Sequence, residues 1–257
     1  MIPMRQSKSQ EPNPHLCEAP RRAGETNRQW LARLVGSAAR PPGGQILLLG
    51  GTSVTDFRLR VAQSHARHDM TPSLWSHVAL MAGPTQAHDP EQDWLLYEVA
   101  LEPPGGFGAV PRNNGVQLGR LSHYDDPVRY PNIALLCFAD LSPETLADAV
   151  ERFRRERHLV DIAALLVEWL GFVWGAGTQG NPLLREAGVP AAAFVEGVYA
   201  QLGIDLTPGS SSRASSPEAI WQAARWWHEV YKMGVTQASV PCGHYCLGQP
   251  EAACRSD

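Results

Sequence analysis

The stretch GQILLLGG, residues 44–51, is a continuous apolar run enclosed by glycines. A run of this kind is typical of a strand that is buried on both faces. Three further segments have the same apolar character: LWSHVALMAG (74–83), DWLLYEVAL (93–101) and NIALLCFADL (132–141). We predict that the four segments lie together in one antiparallel or mixed sheet.

Helices are predicted to dominate the second half of the chain. Ser-Pro-Glu occurs at residues 142–144 and again at 216–218. Each copy supplies an N-cap, a proline at the first helical position and an acid in the first turn, which together indicate a helix start. Segments 25–39, 159–175 and 191–203 also have helical patterns. Strands followed by helices predict an α+β fold, with the helices to one side of the sheet.

The domain organisation is predicted to be simple. Residues 1–24 are rich in Pro, Arg, Ser and Glu and are expected to be disordered or loosely docked. Residues 25–235 hold the strand and helix patterns and form the main domain. Residues 236–257 have no periodicity and are expected to be an irregular tail.

Charge and composition exclude several classes of function. The formal net charge is −4, which gives no electrostatic case for a nucleic-acid partner or an anionic membrane surface. No apolar run reaches the length of a transmembrane helix, and the N-terminus has no apolar signal-peptide region. The five cysteines are irregularly spaced and do not suggest a disulfide framework. We predict a cytoplasmic protein, or one exported by a route independent of a signal peptide.

Four segments carry a resemblance to a known family. They are GQILLLGGTS, WSHVALMAG, DWLLYEVAL, and AAAFVEGVYAQLGIDLTPG followed by SSPEAIW. Their order and spacing over about residues 43–225 resemble the permuted NlpC-type papain-like cysteine hydrolases. In that family these look like a Gly-Asp strand, a Ser-His-Val-Gly strand, a strand ending in an acid, and a helix opening Cys-Ser-x-Leu-Val. The resemblance implies a circularly permuted papain-like fold, in which the histidine strand precedes the cysteine helix.

The resemblance implies a site of three residues. It places His77 as the base, Glu98 as the orienting acid and Ala191 where the nucleophilic cysteine stands. Glu102 and Asp93 are alternatives for the acid. A thiol needs an imidazole to take its proton and a third group to orient that imidazole, and a helix N-terminus favours the thiolate. From the residues alone, a core histidine and a solvent-facing glutamate are the competing interpretations.

Three positions depart from the family pattern. Ala191 cannot attack a carbonyl, Ala192 stands where the family often has Ser, and Gln45 stands where it often has Asp. Two accounts of Ala191 are open: an engineered Cys-to-Ala change, or natural loss of activity. Retention of His77 and Glu98 favours the first account.

The resemblance implies a thiol hydrolase or acyltransferase that needs no cofactor or metal. Its substrate would be an amide, in a peptide or peptidoglycan, or a lipid acyl ester. The alternative is a non-catalytic papain-like scaffold that binds a peptide, a lipid or a partner protein. A third hypothesis is a bacterial toxin-type effector, for which an inhibitor or immunity protein would be a partner.

Cysteines and tryptophans outside these segments have simpler interpretations. Cys137, in an apolar strand, is expected to be a small buried hydrophobe. The C-terminal cysteines and histidine could bind zinc in principle, but the spacing Cys-x-His-x-Cys is unusual for a zinc site. Tryptophans at helical spacing are expected to lie in the core, although some could line a substrate groove. The residues concerned are Cys242, His244, Cys246, Cys254, Trp169, Trp174, Trp221, Trp226 and Trp227.

Overall fold

The computed structural model describes residues 15–36, 44–84, 93–102, 114–156, 160–175, 180–230 and 241–248. The strands are β1 (Leu16–Glu18), β2 (Ile46–Gly50), β3 (His77–Pro84), β4 (Trp94–Glu98), β5 (Gln117–Arg120), β6 (Asn132–Cys137) and β7 (Cys242–Cys246). The helices are α1 (Asn27–Gly36), α2 (Val54–Ala62), α3 (Pro143–Arg155), α4 (Ile162–Val173), α5 (Pro190–Gln201) and α6 (Pro217–Val230).

All seven strands belong to one mixed sheet, in the order β1-β7-β6-β2-β3-β4-β5. Only the β1–β7 pair is parallel; the other neighbours are antiparallel. The four strand segments predicted from the sequence are β2, β3, β4 and β6, and they are contiguous in this sheet. The α+β class and the mixed sheet are therefore confirmed.

Alternate residues of the central strands enter two separate hydrophobic cores. In β2, Ile46 and Leu48 pack in a core with residues of α3, α4, α5 and α6. Leu47 and Leu49 enter the second core, with Trp30 of α1. The prediction that helices lie to one side of the sheet is therefore wrong. Strands that are apolar on both faces need cover on both faces, and α1 provides it on the second.

The two Ser-Pro-Glu helix starts are confirmed. The Ser142 hydroxyl accepts a hydrogen bond from the N–H of Thr145, and the Ser216 hydroxyl accepts one from the N–H of Ala219, each at 3.2 Å. Each bond satisfies a backbone donor that the first helical turn leaves open. Within the described ranges, the longest helix is α6, with 14 residues, and no helix there is long and apolar enough to span a membrane.

Both end segments contribute a strand, which the sequence did not predict. The expected irregular tail contains β7, which pairs with β6 and β1. The expected loosely docked segment contains β1, and Arg21 beyond it donates to Asn27 and to the carbonyl of Pro131. These strands have three and five residues and are held by main-chain pairing. Strands this short have no clear hydrophobic period, so the sequence pattern did not predict them. Residues 1–14 lie outside the described ranges, and the domain limits stay a prediction.

Candidate functional site

His77 and Glu98 meet at one end of the sheet. His77 is the first residue of β3, and Glu98 is the last residue of β4. These strands are antiparallel with Ala79 opposite Glu98, so His77 lies two positions along on the same face. The diagonal arrangement puts Nε2 of His77 2.9 Å from Oε2 of Glu98. The structure thus brings together two of the three residues that the sequence singled out.

Tyr124 joins this pair, and the sequence analysis did not identify it. Its hydroxyl donates to the same Oε2 of Glu98 at 2.7 Å, and its ring stacks on His77 with centroids 5.5 Å apart. Burial and the adjacent Glu98 carboxylate raise the pKa of Tyr124 well above its usual range, so the hydroxyl keeps its proton and donates. A single tyrosine in LSHYDDP carries no sequence signal, because only the fold brings it to Glu98.

Glu98 is almost completely enclosed, with 2% of its surface exposed. The space for its carboxylate comes from Gly119 on the neighbouring strand β5. A Cβ atom at position 119 would lie 1.8 Å from Oε1 of Glu98. A side chain at this position would therefore displace the carboxylate, and the glycine is required for close approach of β5.

One nitrogen of the His77 ring, Nδ1, is not used in the contact with Glu98. In the part of the chain that the structure describes, the imidazole makes its hydrogen bond through Nε2, to Glu98. Nδ1 is therefore the atom that can exchange a proton with a reacting group. A carboxylate on one ring nitrogen fixes the orientation of the ring, which is the task of an orienting acid.

Ala191 lies in the first turn of α5, directly after Pro190 at the first helical position. The N-cap residue is Val189, whose side chain cannot accept a hydrogen bond, so no side chain caps the helix. Among the described residues no acceptor bonds the N–H of Ala191, whereas the N–H groups of Ala192 and Ala193 both donate to Val189. The helix therefore presents an open backbone donor and its positive end at position 191.

His77 and Ala191 line the same pocket. Tyr124, Glu102 and Arg129 also contribute to its wall. The cavity has a volume of about 60 Å³, enough for a few water molecules or one reacting group. A larger ligand would have to place most of its mass outside it. The third residue of the predicted site is thus in the same cavity as the histidine.

The floor of the pocket is fixed by a short polar network. The N–H of Gly51 donates to the Ser76 hydroxyl at 3.0 Å, and that hydroxyl donates to Asp56 at 2.6 Å. Asp56 also completes a capping box with Ser53 at the start of α2. A Cβ atom at position 51 would lie 2.1 Å from Asp56, so the last glycine of GQILLLGG is needed here. This network holds the residue before His77 in place.

Neither alternative acid is paired with His77 in the structure. Glu102 lines the pocket but accepts a hydrogen bond from the hydroxyl of Thr55. Asp93 precedes β4, at the end of the strand opposite to Glu98, and accepts from the N–H groups of Trp94 and Ser122. Among the three candidates, the structure pairs only Glu98 with the histidine.

The structure also describes Gln45 and Ala192, the two other residues at which the sequence departs from the family pattern. Gln45 immediately precedes β2, at the end of that strand remote from Gly51, and its buried Oε1 has no hydrogen-bond partner among the described residues. Ala192 is fully buried in the core next to Ala191. Neither residue lines the pocket.

The remaining candidates mostly have structural positions. Trp169 and Trp221 are buried in the core, which confirms that part of the prediction; Trp174 is 58% exposed. Trp226 and Trp227 line a separate groove with Thr207.

Cys242, His244 and Cys246 alternate along β7; Cys254 lies outside the described ranges. No group of three His, Cys, Asp or Glu suited to a metal occurs within those ranges.

Comparisons with known proteins add no identity. No protein-family model matches the chain, and no curated protein matches it in sequence. The functional proposal for the chain therefore rests on the geometry of the pocket.

Proposed function

We propose that the chain has the scaffold of a permuted papain-like thiol hydrolase or acyltransferase, with Ala191 in the position of the nucleophilic cysteine. The observation that carries this proposal is the shared pocket of Ala191, at an open helix N-terminus, and His77, paired with Glu98 at 2.9 Å. A nucleophile position, a base and an orienting acid are the three parts that such chemistry requires.

With a thiol at position 191, each group has a defined role. Nδ1 of His77 takes the thiol proton, and the thiolate attacks the carbonyl carbon of the substrate. The open N–H of residue 191 donates to the oxyanion that forms. The histidine then protonates the leaving amine or alcohol as the C–N or C–O bond breaks. Water or an acceptor nucleophile cleaves the resulting thioester and restores the thiol.

The size of the pocket limits what enters it. A cavity of about 60 Å³ accepts the scissile carbonyl and its near substituents, while the rest of the substrate lies across the surface. A peptide or peptidoglycan amide and a lipid acyl ester both present such a carbonyl. The substrate class we propose is therefore an amide or an acyl ester. The toxin-type effector role and its inhibitor partner stay predictions.

A second candidate function is supported by Ala191 itself. A methyl group cannot attack a carbonyl, so the chain with this sequence would bind a substrate-like peptide or lipid without cleaving it. The same pocket and the same His77–Glu98 pair serve as the binding site in this alternative.

The test is to restore the thiol. In Ala191→Cys, iodoacetamide should alkylate residue 191 at pH 6 about 10-fold faster than it alkylates the exposed Cys17. The helix N-terminus and a protonated His77 both favour thiolate, which lowers the pKa of the introduced thiol from about 8.5 by a unit or more. Mass spectrometry of peptides sampled over time measures both rates in one experiment.

Two variants serve as controls. Ala192→Cys puts a thiol one residue further along α5, in the core and away from the pocket, and should react slowly. His77→Ala in the Ala191→Cys background should remove the rate advantage at pH 6. If residue 191 alkylates only above about pH 8, with or without His77, the site is not a catalytic dyad. The binding scaffold then becomes the proposed function.

A further inference from the structure

Cys137 and Cys242 lie opposite each other on neighbouring strands of the sheet, and neither lines the pocket. The register of β6 and β7 places Cys137 directly opposite Cys242, as the last pair of that antiparallel ladder. Their side chains point to the same face, because residues opposite each other in a ladder share a face. The remaining described cysteines have other partners: Cys17 lies opposite His244, and Cys246 lies opposite Ile133.

This placement meets the geometric requirement of a disulfide. Directly opposite residues of an antiparallel pair have Cα atoms about 4.5–5.5 Å apart. Disulfides span Cα distances of about 4.4–6.8 Å. Cys137 and Cys242 can therefore be bridged without a change of strand register, whereas Cys17 is offset from Cys242 by two residues along β7.

The two thiols are both free, and at least one of them is accessible to a dissolved reagent. Cys242 is exposed and Cys137 is half-buried, and both are free thiols in the structure. The Cys137 thiol donates to the carbonyl of Ala139 at 3.5 Å. Its contact with the sulfur of Cys242 lowers the pKa of Cys242. The same contact, with burial, raises the pKa of Cys137. The exposed Cys242 is thus the partner that a dissolved oxidant reaches first, with Cys137 beside it.

We propose that Cys137 and Cys242 are a redox modification site, which a low-molecular-weight disulfide such as oxidised glutathione converts to an intramolecular disulfide between β6 and β7. This site is independent of the proposed function and requires no catalysis by the chain.

The reaction is a pair of thiol–disulfide exchanges. The Cys242 thiolate attacks one sulfur of oxidised glutathione, forms a mixed disulfide and releases one glutathione thiolate. Cys137 then loses its proton to solvent, and its thiolate attacks the sulfur of Cys242. The bond between Cys242 and glutathione breaks and the second glutathione leaves. Two protein thiols are oxidised, and one glutathione disulfide is reduced to two glutathiones.

The bond would fasten the outer part of the sheet. β7 is joined to the body of the sheet through β6, and β1 is joined through β7. A covalent link at residues 137 and 242 ties β7 to a central strand and closes a long loop of the chain. Constraint of the unfolded chain by a long loop raises thermal stability, so oxidation should stabilise the full chain.

The experiment uses the purified full chain in glutathione buffers of stepped ratio at pH 8. Digestion without reduction, followed by mass spectrometry, should recover Cys137 and Cys242 in one disulfide-linked peptide pair. The Tm should rise by about 5 °C or more in the oxidised sample. Cys17→Ser keeps both residues of the pair and should behave as wild type.

Cys242→Ser and Cys137→Ser should both abolish the cross-link and the rise in Tm. Cys242 is exposed, so its serine variant keeps the fold and remains informative should Cys137→Ser be unstable. Three results would overturn the proposal. They are a persistent glutathione adduct on Cys242 in the wild type, a bond from Cys242 to Cys17, or a cross-link that leaves Tm unchanged.

Discussion

The two ends of the strand order are held together in different ways. On the side of β3, β4 and β5, side-chain hydrogen bonds add to the main-chain ladders: the Glu98 carboxylate accepts from both His77 and Tyr124. On the side of β1 and β7, which we call the outer edge, main-chain pairing joins strands of three and five residues. Function is proposed on the first side, where replacing one side chain affects several others. At the outer edge we expect replacement of an exposed side chain, such as that of Glu18, to affect fewer neighbours.

The largest expected difference between the two sides is in the free energy of unfolding that is lost when a glutamate is replaced by alanine. Glu98→Ala removes the acceptor of two enclosed donors, His77 and Tyr124, and should cost about 3 kcal/mol in free energy of unfolding. Glu18→Ala, at an exposed position of β1, should change it by less than about 0.5 kcal/mol. Urea denaturation of both variants measures these values. Equal losses would mean that Glu98 is no more integrated than a surface acid.

A second prediction concerns the helix that carries Ala191. Glu196 of α5 is 2% exposed and accepts from the hydroxyls of Thr207 and Ser215. Burial raises its pKa to about 7 from the ordinary 4.5. The folded state therefore favours the protonated acid, while the unfolded state ionises above pH 4.5. Wild-type stability should fall as the pH rises from about 4.5 to about 7, by roughly 2–3 kcal/mol.

Glu196→Gln should lack that fall, because an amide does not ionise. Relative to wild type it should gain stability between pH 5 and pH 8, measured by urea denaturation at both values. Glu186→Gln, at an exposed position, is the matched control and should follow the wild-type curve. Parallel curves for Glu196→Gln and wild type would show that Glu196 is ionised at no cost in the folded state.

The smallest predicted effect tests whether main-chain pairing is sufficient at the outer edge. The Arg21 guanidinium donates to the Asn27 side chain and to the carbonyls of Tyr130 and Pro131. Arg21→Ala should therefore cost about 1–2 kcal/mol and speed hydrogen exchange of β7 amides. Arg22→Ala, an exposed neighbour, should have little effect. Unchanged exchange in Arg21→Ala would mean that the ladder alone holds the edge.

The sequence predicted the centre of the fold better than its margins. Long apolar runs such as 44–51 identified the central strands, because strands buried on both faces cannot be polar. β1 and β7 were missed, since strands of three and five residues have little periodicity. α1 was recognised as a helix, but the sequence could not show which face of the sheet it covers.

The candidate site was predicted in part. His77, Glu98 and Ala191 were named from the family resemblance, and the structure places the first two in contact and the third in the same pocket. Their catalytic roles stay a prediction. Tyr124 and Gly119 could not be found from the sequence, because their contribution depends on which side chain approaches Glu98 in three dimensions.

The β1–β7 pairing also bears on the order in which the chain folds. It aligns Leu16 with Gly243, so nearly the whole chain lies between the partners. Bringing together two strands so far apart in sequence costs much chain entropy. That cost is smaller once the intervening chain has folded and holds the two ends close to each other. We therefore expect β2, β3 and β4, which are neighbours in sequence, to pair in the folding nucleus. β1 should be added last, onto a sheet already complete from β7 to β5.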